Sequence, residues 1–418
     1  MHALKENIRA LLPERVISLY HFLLAWLGAA ICRFPSRDIV VIGVTGTKGK
    51  TSVSEMLNAI LEQAGYRTAL LNSIRIKTAE TSETNSIGRS MPGRFFIQRF
   101  LDQAVDAGCT AAIIEMTSEG ARQHRHRFIE LNALIFTNLA PEHIESHGSY
   151  EAYANAKFEI GKQLGRSKKR PRIMVANADD KESTRYLTLK VEHALPFSLA
   201  EHAPYEADEN GGYFTLGDKR IALKQPGVFS LMNGIAAATL ARALGISPEI
   251  IAPALESVVR IAGRAERIEA GQDFLVVVDY AHTPDSLRAL YEAYGKRKKI
   301  CILGSAGGGR DTWKRPLMGS ISEKYCSHVI LTNDDPYDED PQQIVNDIAH
   351  GMQKRPEIVL ERREAIRRGL ALANSGDAVL IIGKGVDPIA GAHGSKVAWN
   401  DADVAREELT KLRGALRV

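Results

Sequence analysis

The stretch Gly43-Val44-Thr45-Gly46-Thr47-Lys48-Gly49-Lys50-Thr51-Ser52 sets glycines, lysines and hydroxyls between an apolar run and an amphipathic one. Glycines let a backbone wrap closely enough for successive N–H groups, and the start of the following helix, to face anionic oxygens. In such a loop Lys50 reaches the β- and γ-phosphates of a nucleotide, and the Thr51 hydroxyl can ligate Mg²⁺. A strict P-loop has Gly at position 44; this chain has Val there and is a variant with glycines at 43, 46 and 49. Triphosphate binding is the expectation. The reaction stays open, because kinases, GTPases and ligases all use such loops.

Other groups with chemical potential follow along the chain. His143 and His147 stand four apart beside Glu142 and Glu145, a pattern also open to a zinc reading, although it is not HExxH and no cysteine or third histidine is near. Lys157 lies on an amphipathic stretch, where a lysine is ordinarily solvated. His282 follows an apolar run and could cap the next helix. Arg310 and Lys314 come after a Gly-rich turn, which favours phosphate contact over a solvated loop. Arg125 suits bidentate pairing with a carboxylate or phosphate, while Arg122, Arg125 and Arg127 could equally form a solvated basic face.

The loop Gly46–Thr51 resembles that of the Mur ligase family, and the resemblance recurs in the family's order. It takes in Glu115-Met116-Thr117-Ser118, the segment from Thr137-Asn138 through Glu142-His143 and Glu145 to His147-Gly148, and Ala156-Lys157-Phe158. It continues with Asn233, Gly263-Arg264, Asp279-Tyr280-Ala281-His282-Thr283-Pro284 and Gly308-Gly309-Arg310-Asp311 with Lys314-Arg315-Pro316. The resemblance implies an ATP-dependent ligase that converts a carboxylate into an acyl-phosphate and then admits an amine. The product would be a muramyl-peptide cell-wall precursor lengthened by one amino acid. By the same resemblance Lys50, His143, Lys157 and His282 are catalytic. ATP would be held by Gly46, Thr47, Lys48, Gly49, Lys50, Thr51 and Ser52, and by Asn233, Arg264, Asp279, His282 and Arg310. Thr51 and Glu115 would hold one Mg²⁺, an ion that prefers oxygen ligands. His143 and a carbamate on Lys157 would hold a second, the carbamate turning a repelling ammonium into an anionic ligand. Ser90, Ser118, Gln123 and Arg125 match positions that grip the acceptor peptide, and Asp334, Asp335 and Asp387 lie where the incoming amino acid is read.

Departures from the pattern qualify what it implies. Residues 1–37 are too few for the family's uridine-gripping N-terminal domain, so the acceptor is held without it or is not UDP-linked. Asp334-Asp335-Pro336-Tyr337 replaces Asp-Asn-Pro-Arg, and Gly383-Lys384-Gly385-Val386-Asp387 replaces GKGHE. Tyr337 cannot pair with a distal carboxylate as arginine does, which disfavours diaminopimelate. A ligase for a different acceptor, folylpolyglutamate-like or lipid-linked, is the alternative within the class. A non-catalytic ATP-binding partner is the alternative outside it.

These residues need a scaffold that presents them together. From Asp38 short apolar runs alternate with amphipathic stretches, the mark of an α/β architecture with a mostly parallel sheet. Strands are expected at 39–44, 68–71, 111–116, 133–137 and 173–176, with helices at 51–64, 95–107 and 150–164. Hairpins are expected over 200–219 with a turn at Asn210-Gly211-Gly212, then a buried helix at 233–243 ended by Gly245. A second, Rossmann-like α/β unit has strands at 274–278, 299–303, 328–331 and 378–382, and helices near 286–294, 342–352 and 362–373. The organisation reads as an N-terminal hydrophobic segment (1–37), a central P-loop domain (38–262) and a C-terminal domain (263–418).

Composition sets the remaining bounds. The 418 residues carry a formal charge of +4, too balanced to argue for nucleic acid. Cys32, Cys109, Cys301 and Cys326 form no CxxC pair, so structural disulfides are not expected and a reducing cytosol fits. From Val16 to Cys32 no residue bears a full charge. That run reads as a helix docked on the first domain or, alternatively, lying at a membrane interface through residues 16–34.

Overall fold

The computed structural model describes residues 13–142 and 144–415. The chain forms two compact units: one contains the chain through Ala140 with Tyr150–His202 and Asn233–Leu255, the other Pro141–Ser149, Ala203–Met232 and the chain from Glu256.

The first unit is built on an eight-stranded sheet. In chain order its strands are β1 (Val40–Thr45), β2 (Thr68–Leu71), β3 (Arg75–Thr78), β4 (Thr81–Thr84), β5 (Ala111–Met116), β6 (Ala133–Phe136), β7 (Ile173–Asn177) and β8 (His193–Phe197). Across the sheet the order is β4-β3-β2-β5-β1-β6-β7-β8. The run β2-β5-β1-β6-β7-β8 is parallel, while β3 and β4 add an antiparallel edge. Parallel strands are covered on both faces, so β2, β5 and β6 are buried along their whole length and read as near-continuous apolar runs. Glu115, inside such a run, is the exception that needs a reason. The chain leaves β1 toward β2 on one side and later passes from β5 to β6 on the other, which makes β1 the point where strand order reverses. Crevices outside the carboxyl ends of strands at such a point are where open α/β sheets bind ligands.

The helix Glu14–Ile31 belongs to this unit and packs through Ala25, Gly28 and Ala29, which are buried. That docking is one of the two readings the sequence allowed. The expected helices form as Lys50–Gln63, Arg94–Asp106 and Tyr150–Arg166. Strands β3, β4 and β8 were not anticipated. The first two are short polar edge strands, and β8 is largely exposed and contains Pro196, so none shows an apolar pattern.

The second unit holds a three-stranded antiparallel sheet, β9 (Glu206–Asp208), β10 (Gly211–Leu216) and β11 (Lys219–Leu223), where the hairpins were expected. Its main sheet uses β12 (Glu266–Arg267), β13 (Leu275–Asp279), β14 (Lys299–Leu303), β15 (His328–Leu331), β16 (Glu357–Ile358) and β17 (Ala378–Ile382) in the order β12-β13-β17-β14-β15-β16. All pairings are parallel except β12 with β13. Alternation along β17 divides the core: Ala378, Leu380 and Ile382 face the helices Pro284–Ala293, Lys314–Tyr325 and Pro341–Ala349. Val379 and Ile381 face Arg362–Leu372 and Asp401–Ala415.

Helix Lys314–Tyr325 was missed because it buries Lys314 and Arg315 and includes Pro316 and Gly319, so its text looks like a loop. Pro316 sits in the first turn, where a missing N–H costs nothing. The cysteine expectation is corrected here: Cys301, in the middle of β14, is disulfide-bonded to Cys326, just past this helix, with Cα atoms 6.1 Å apart. Packing of the helix onto the strand brings the pair together, and a separation of 25 residues carries no sequence signature of it.

Candidate active site

The glycine loop follows β1 and is strapped down by the segment after β6. Asn138 accepts the Thr47 N–H through its carbonyl at 2.9 Å and the Lys48 N–H through its side chain at 2.8 Å. Thr137 Oγ1 donates to the Lys48 carbonyl at 2.6 Å. Thr47 Oγ1 meets the Tyr153 hydroxyl at 2.9 Å and accepts the Ala140 N–H at 3.0 Å. Two glycines are imposed by this closeness. A Cβ on Gly46 (φ +149°) would lie 1.9 Å from Thr137 Oγ1, and one on Gly49 (φ +82°) 2.3 Å from Asn233 Oδ1. Asn233 thus stands against the loop, on the helix Val228–Ala243.

At the first turn of helix Lys50–Gln63 the chemistry concentrates. Thr51 Oγ1 donates to Glu115 Oε2 at 2.9 Å, and Ser73 donates to the same carboxylate through its hydroxyl (3.0 Å) and its N–H (3.1 Å). Ser73 Oγ also meets Ser90 Oγ at 2.7 Å. Lys50 Nζ donates to the Thr47 carbonyl at 3.0 Å and lies 3.9 Å from Glu115 Oε1. Lys157 is buried, with its ammonium donating to the Gly46 carbonyl at 2.7 Å and lying over the Tyr153 ring. Glu115 therefore has its reason for being inside an apolar strand: it organises hydroxyls beside the phosphate loop. An all-oxygen set of this kind suits a hard cation. His143 lies outside the described residues.

Beside Ser90, a second cluster holds Ser118, Gln123 and Arg125. Ser118 opens the short helix Ser118–Arg122, whose N-cap Thr117 accepts the Gly120 N–H at 3.1 Å. Arg125 donates to the Met91 carbonyl and to Gln123 Oε1, and Gln123 donates to Glu119. Burial, together with the charges of Arg89 and Arg94, pushes Arg125 down to about 10. The solvated-face alternative fails for Arg125, which is 8 % exposed.

In the second unit the assigned residues form three groups. His282 Nε2 is 2.5 Å from Glu142 Oε1, and its Nδ1 is 2.7 Å from the Tyr280 carbonyl. Asp279 accepts the Ala265 and Ala281 N–H groups, each at 2.7 Å, while the Arg264 guanidinium lies over the Tyr280 ring at 4.4 Å. The negative charge of Asp387, then burial, hold the Tyr280 hydroxyl well above its ordinary pKa; burial raises Asp387 against the pull of Arg264 and Lys384. Arg310 lies over the Tyr337 ring at 4.5 Å. The buried Lys384 ammonium is 2.6 Å from Asp335 and 3.9 Å from Asp334. Burial lifts Asp334 to about 6, opposed by Lys384 and Arg362. Glu145 is also raised, by burial and by its contact with Asp311.

Two contributors, Ser73 and Tyr153, were not singled out in the sequence, and Glu142 was named there without a role of its own. Ser73 sits just past the carboxyl end of β2, where a parallel sheet places ligands, and that rule could have flagged it. Tyr153 precedes Lys157 by one helical turn and shares its face. Glu142 became informative only once His282 was placed against it.

Models of known families match two stretches of the chain: the Mur ligase middle domain over residues 44–241, and the Mur ligase glutamate ligase domain over residues 263–385. A UDP-N-acetylmuramoyl-L-alanyl-D-glutamate--2,6-diaminopimelate ligase of Syntrophomonas wolfei is 34 % identical over 402 residues, covering 92 % of this chain and 81 % of the relative. The chain belongs to the Mur ligase family. A UDP-N-acetylmuramyl-tripeptide synthetase of Roseiflexus is 35 % identical, covering 93 % of this chain and 82 % of that protein. Among solved structures, a UDP-N-acetylmuramoyl-L-alanyl-D-glutamate--2,6-diaminopimelate ligase aligns with TM-score 0.59 at 26 % identity, over 90 % of this chain and 79 % of that one. Folylpolyglutamate synthase of Mycobacterium tuberculosis with ADP aligns with TM-score 0.68 at 15 % identity, over 96 % and 99 %, a likeness of fold alone. Residues 44–52 of the glycine loop, Glu115 and Lys157 fall in the matched middle domain, and His282, Arg310 and Lys384 in the matched C-terminal one.

Proposed function

We propose that this protein is an ADP-forming amide ligase that adds one amino acid to the peptide of a UDP-muramoyl precursor. An acceptor carboxylate oxygen attacks the γ-phosphorus of ATP, giving an acyl-phosphate and ADP. The amine of the incoming amino acid then attacks the acyl carbon, phosphate leaves, and a proton is lost from nitrogen. Both steps gather negative charge around one phosphoryl group, so positioned cations and N–H donors supply most of the acceleration. The loop amides and Lys50 hold the β- and γ-phosphates, and Asn233 lies against the loop. Thr51 and Glu115 would hold Mg²⁺, which supplies neutralising charge when bound. We assign Lys157, once carbamylated, and His143 to a second ion. As an ammonium, Lys157 holds the Gly46 carbonyl instead. Ser90, Ser118, Gln123 and Arg125 take the acceptor peptide; His282, Arg264, Asp279 and Arg310 serve the nucleotide, and Asp334, Asp335 and Asp387 the amino acid.

The observation that carries this reading is the Lys50–Thr51–Ser73–Glu115 cluster beside the glycine loop. Its test is Lys50→Ala in an assay of amino-acid-dependent phosphate release. The expected result is a loss of about 10³-fold or more in rate with the fold intact, as for removal of a key charge-stabilising group. A variant as active as the parent would remove Lys50, and the loop with it, from the chemistry.

A further inference from the structure

The helix Glu14–Ile31 has two apolar faces, and among the described residues only one is covered. On the inner face Ala25, Gly28 and Ala29 are buried, a Cβ on Gly28 would lie 3.4 Å from Phe95, and Phe22 packs on the rings of His124 and Phe128. Ser18 adds a hydrogen bond to His124 at 2.8 Å. On the outer face Leu19, Tyr20, Leu23, Trp26, Leu27 and Ile31 are each 41–64 % exposed. Their spacing of three and four residues makes one continuous stripe. A stripe of this length, rather than scattered apolar residues, marks an interaction surface.

We propose that the stripe docks the protein peripherally on an anionic lipid surface, with the helix lying flat in the interface. Tyr20 and Trp26 carry the apolar body and polar tip that settle at headgroup level. Among the described residues flanking the stripe, Arg15, Arg33 and Arg37 are exposed against Glu14 and Asp38. The C-terminal end of the helix is therefore net positive, and the charges at its N-terminal end balance. A second copy of this chain seated on the stripe would set the basic end against its like or against a balanced end and gain no attraction in either direction, whereas anionic headgroups satisfy it. The helix is long and apolar enough to cross a bilayer. Crossing would strip its inner face from Phe95, His124 and Phe128; lying flat keeps that packing and buries only the open stripe. Apolar insertion and basic attraction are each weak alone and sufficient together.

The test is flotation of the full chain with phosphatidylcholine vesicles, with and without phosphatidylglycerol, in the absence of any substrate, so its outcome is independent of the ligase reading. The expected result is about tenfold or greater enrichment on the anionic vesicles, reversed by high salt. Tryptophan emission should shift to the blue on binding, and the shift should vanish in Trp26→Phe. Leu23→Glu with Leu27→Glu, and separately Arg33→Glu with Arg37→Glu, should abolish flotation while leaving the melting temperature unchanged. Flotation that is equal for parent and variants, or vesicle binding without a Trp26 shift, would overturn the proposal. So would a dimer in sedimentation that Leu23→Glu with Leu27→Glu dissolves, since a second copy would then own the stripe.

Discussion

At the scale of single residues, the phosphate loop leaves no room for a methyl group where Gly49 faces Asn233. Gly49→Ala adds both a clash, with Cβ 2.3 Å from Asn233 Oδ1, and an unfavourable φ of +82°. Gly65 has a similar φ of +86° with nothing within 4 Å, so Gly65→Ala isolates the backbone cost, about 1 kcal/mol. Calorimetric titration with ATP should show binding weakened at least tenfold by Gly49→Ala and unchanged by Gly65→Ala. Equal effects would mean that the loop's contact with Asn233 has no bearing on nucleotide. Asp334 supports a pH prediction. Its folded pKa, about 6, lies above the ordinary 3.8, so the native state binds the proton more tightly than the unfolded chain. Its contribution to stability is therefore fully present below the lower value and is lost as pH rises through the higher, by on the order of 3 kcal/mol. Denaturant titrations at pH 4 and pH 7 should show a parent-minus-Asp334→Asn difference that moves in this direction; a pH-independent difference would contradict it. Lys50 and Thr51 stand out in the sequence because a glycine-rich loop fixes residue type and spacing, Glu115 stands out only through the family resemblance, and the fold brings the three together. Ser73 and Tyr153 do not stand out, because a serine or tyrosine gains a role only from what the fold sets beside it.

At the scale of elements, the parallel strands were read closely, since burial on both faces writes them as near-continuous apolar runs between turn residues. β2, β5, β14, β15 and β17 fall at the expected residues. What hid were elements whose text contradicts their form: the polar edge strands β3 and β4, and the helix Lys314–Tyr325 that buries two cations. Arg315, fully buried, is reconciled by Glu339 at 2.5 Å and Asp347 at 2.8 Å, partners more than twenty positions away that no local pattern announces. The disulfide was hidden for the same reason. Closing a loop of this length in the unfolded chain stabilises by about 3 kcal/mol. Unfolding of the parent should shift by that amount when reductant is added, and Cys326→Ser should be insensitive to it. No reductant effect on the parent would mean that the bond does not form.

At the scale of the whole molecule, the chain presents two α/β units, each with a mostly parallel sheet sandwiched by helices, and each holding one share of the assigned residues. The fold class was legible because alternating strand and helix patterns leave few other architectures. Fold does not choose the acceptor: ligases of folates and of muramyl peptides share it. Only turnover distinguishes the acceptors. Phosphate release would be followed with ATP, Mg²⁺ and UDP-N-acetylmuramoyl-L-alanyl-D-glutamate across a panel of amino acids that includes lysine and 2,6-diaminopimelate. Release should depend on both the acceptor and one amino acid, with a matching tripeptide product by mass. ATP binding without release from any member of the panel would rule out this ligase reaction.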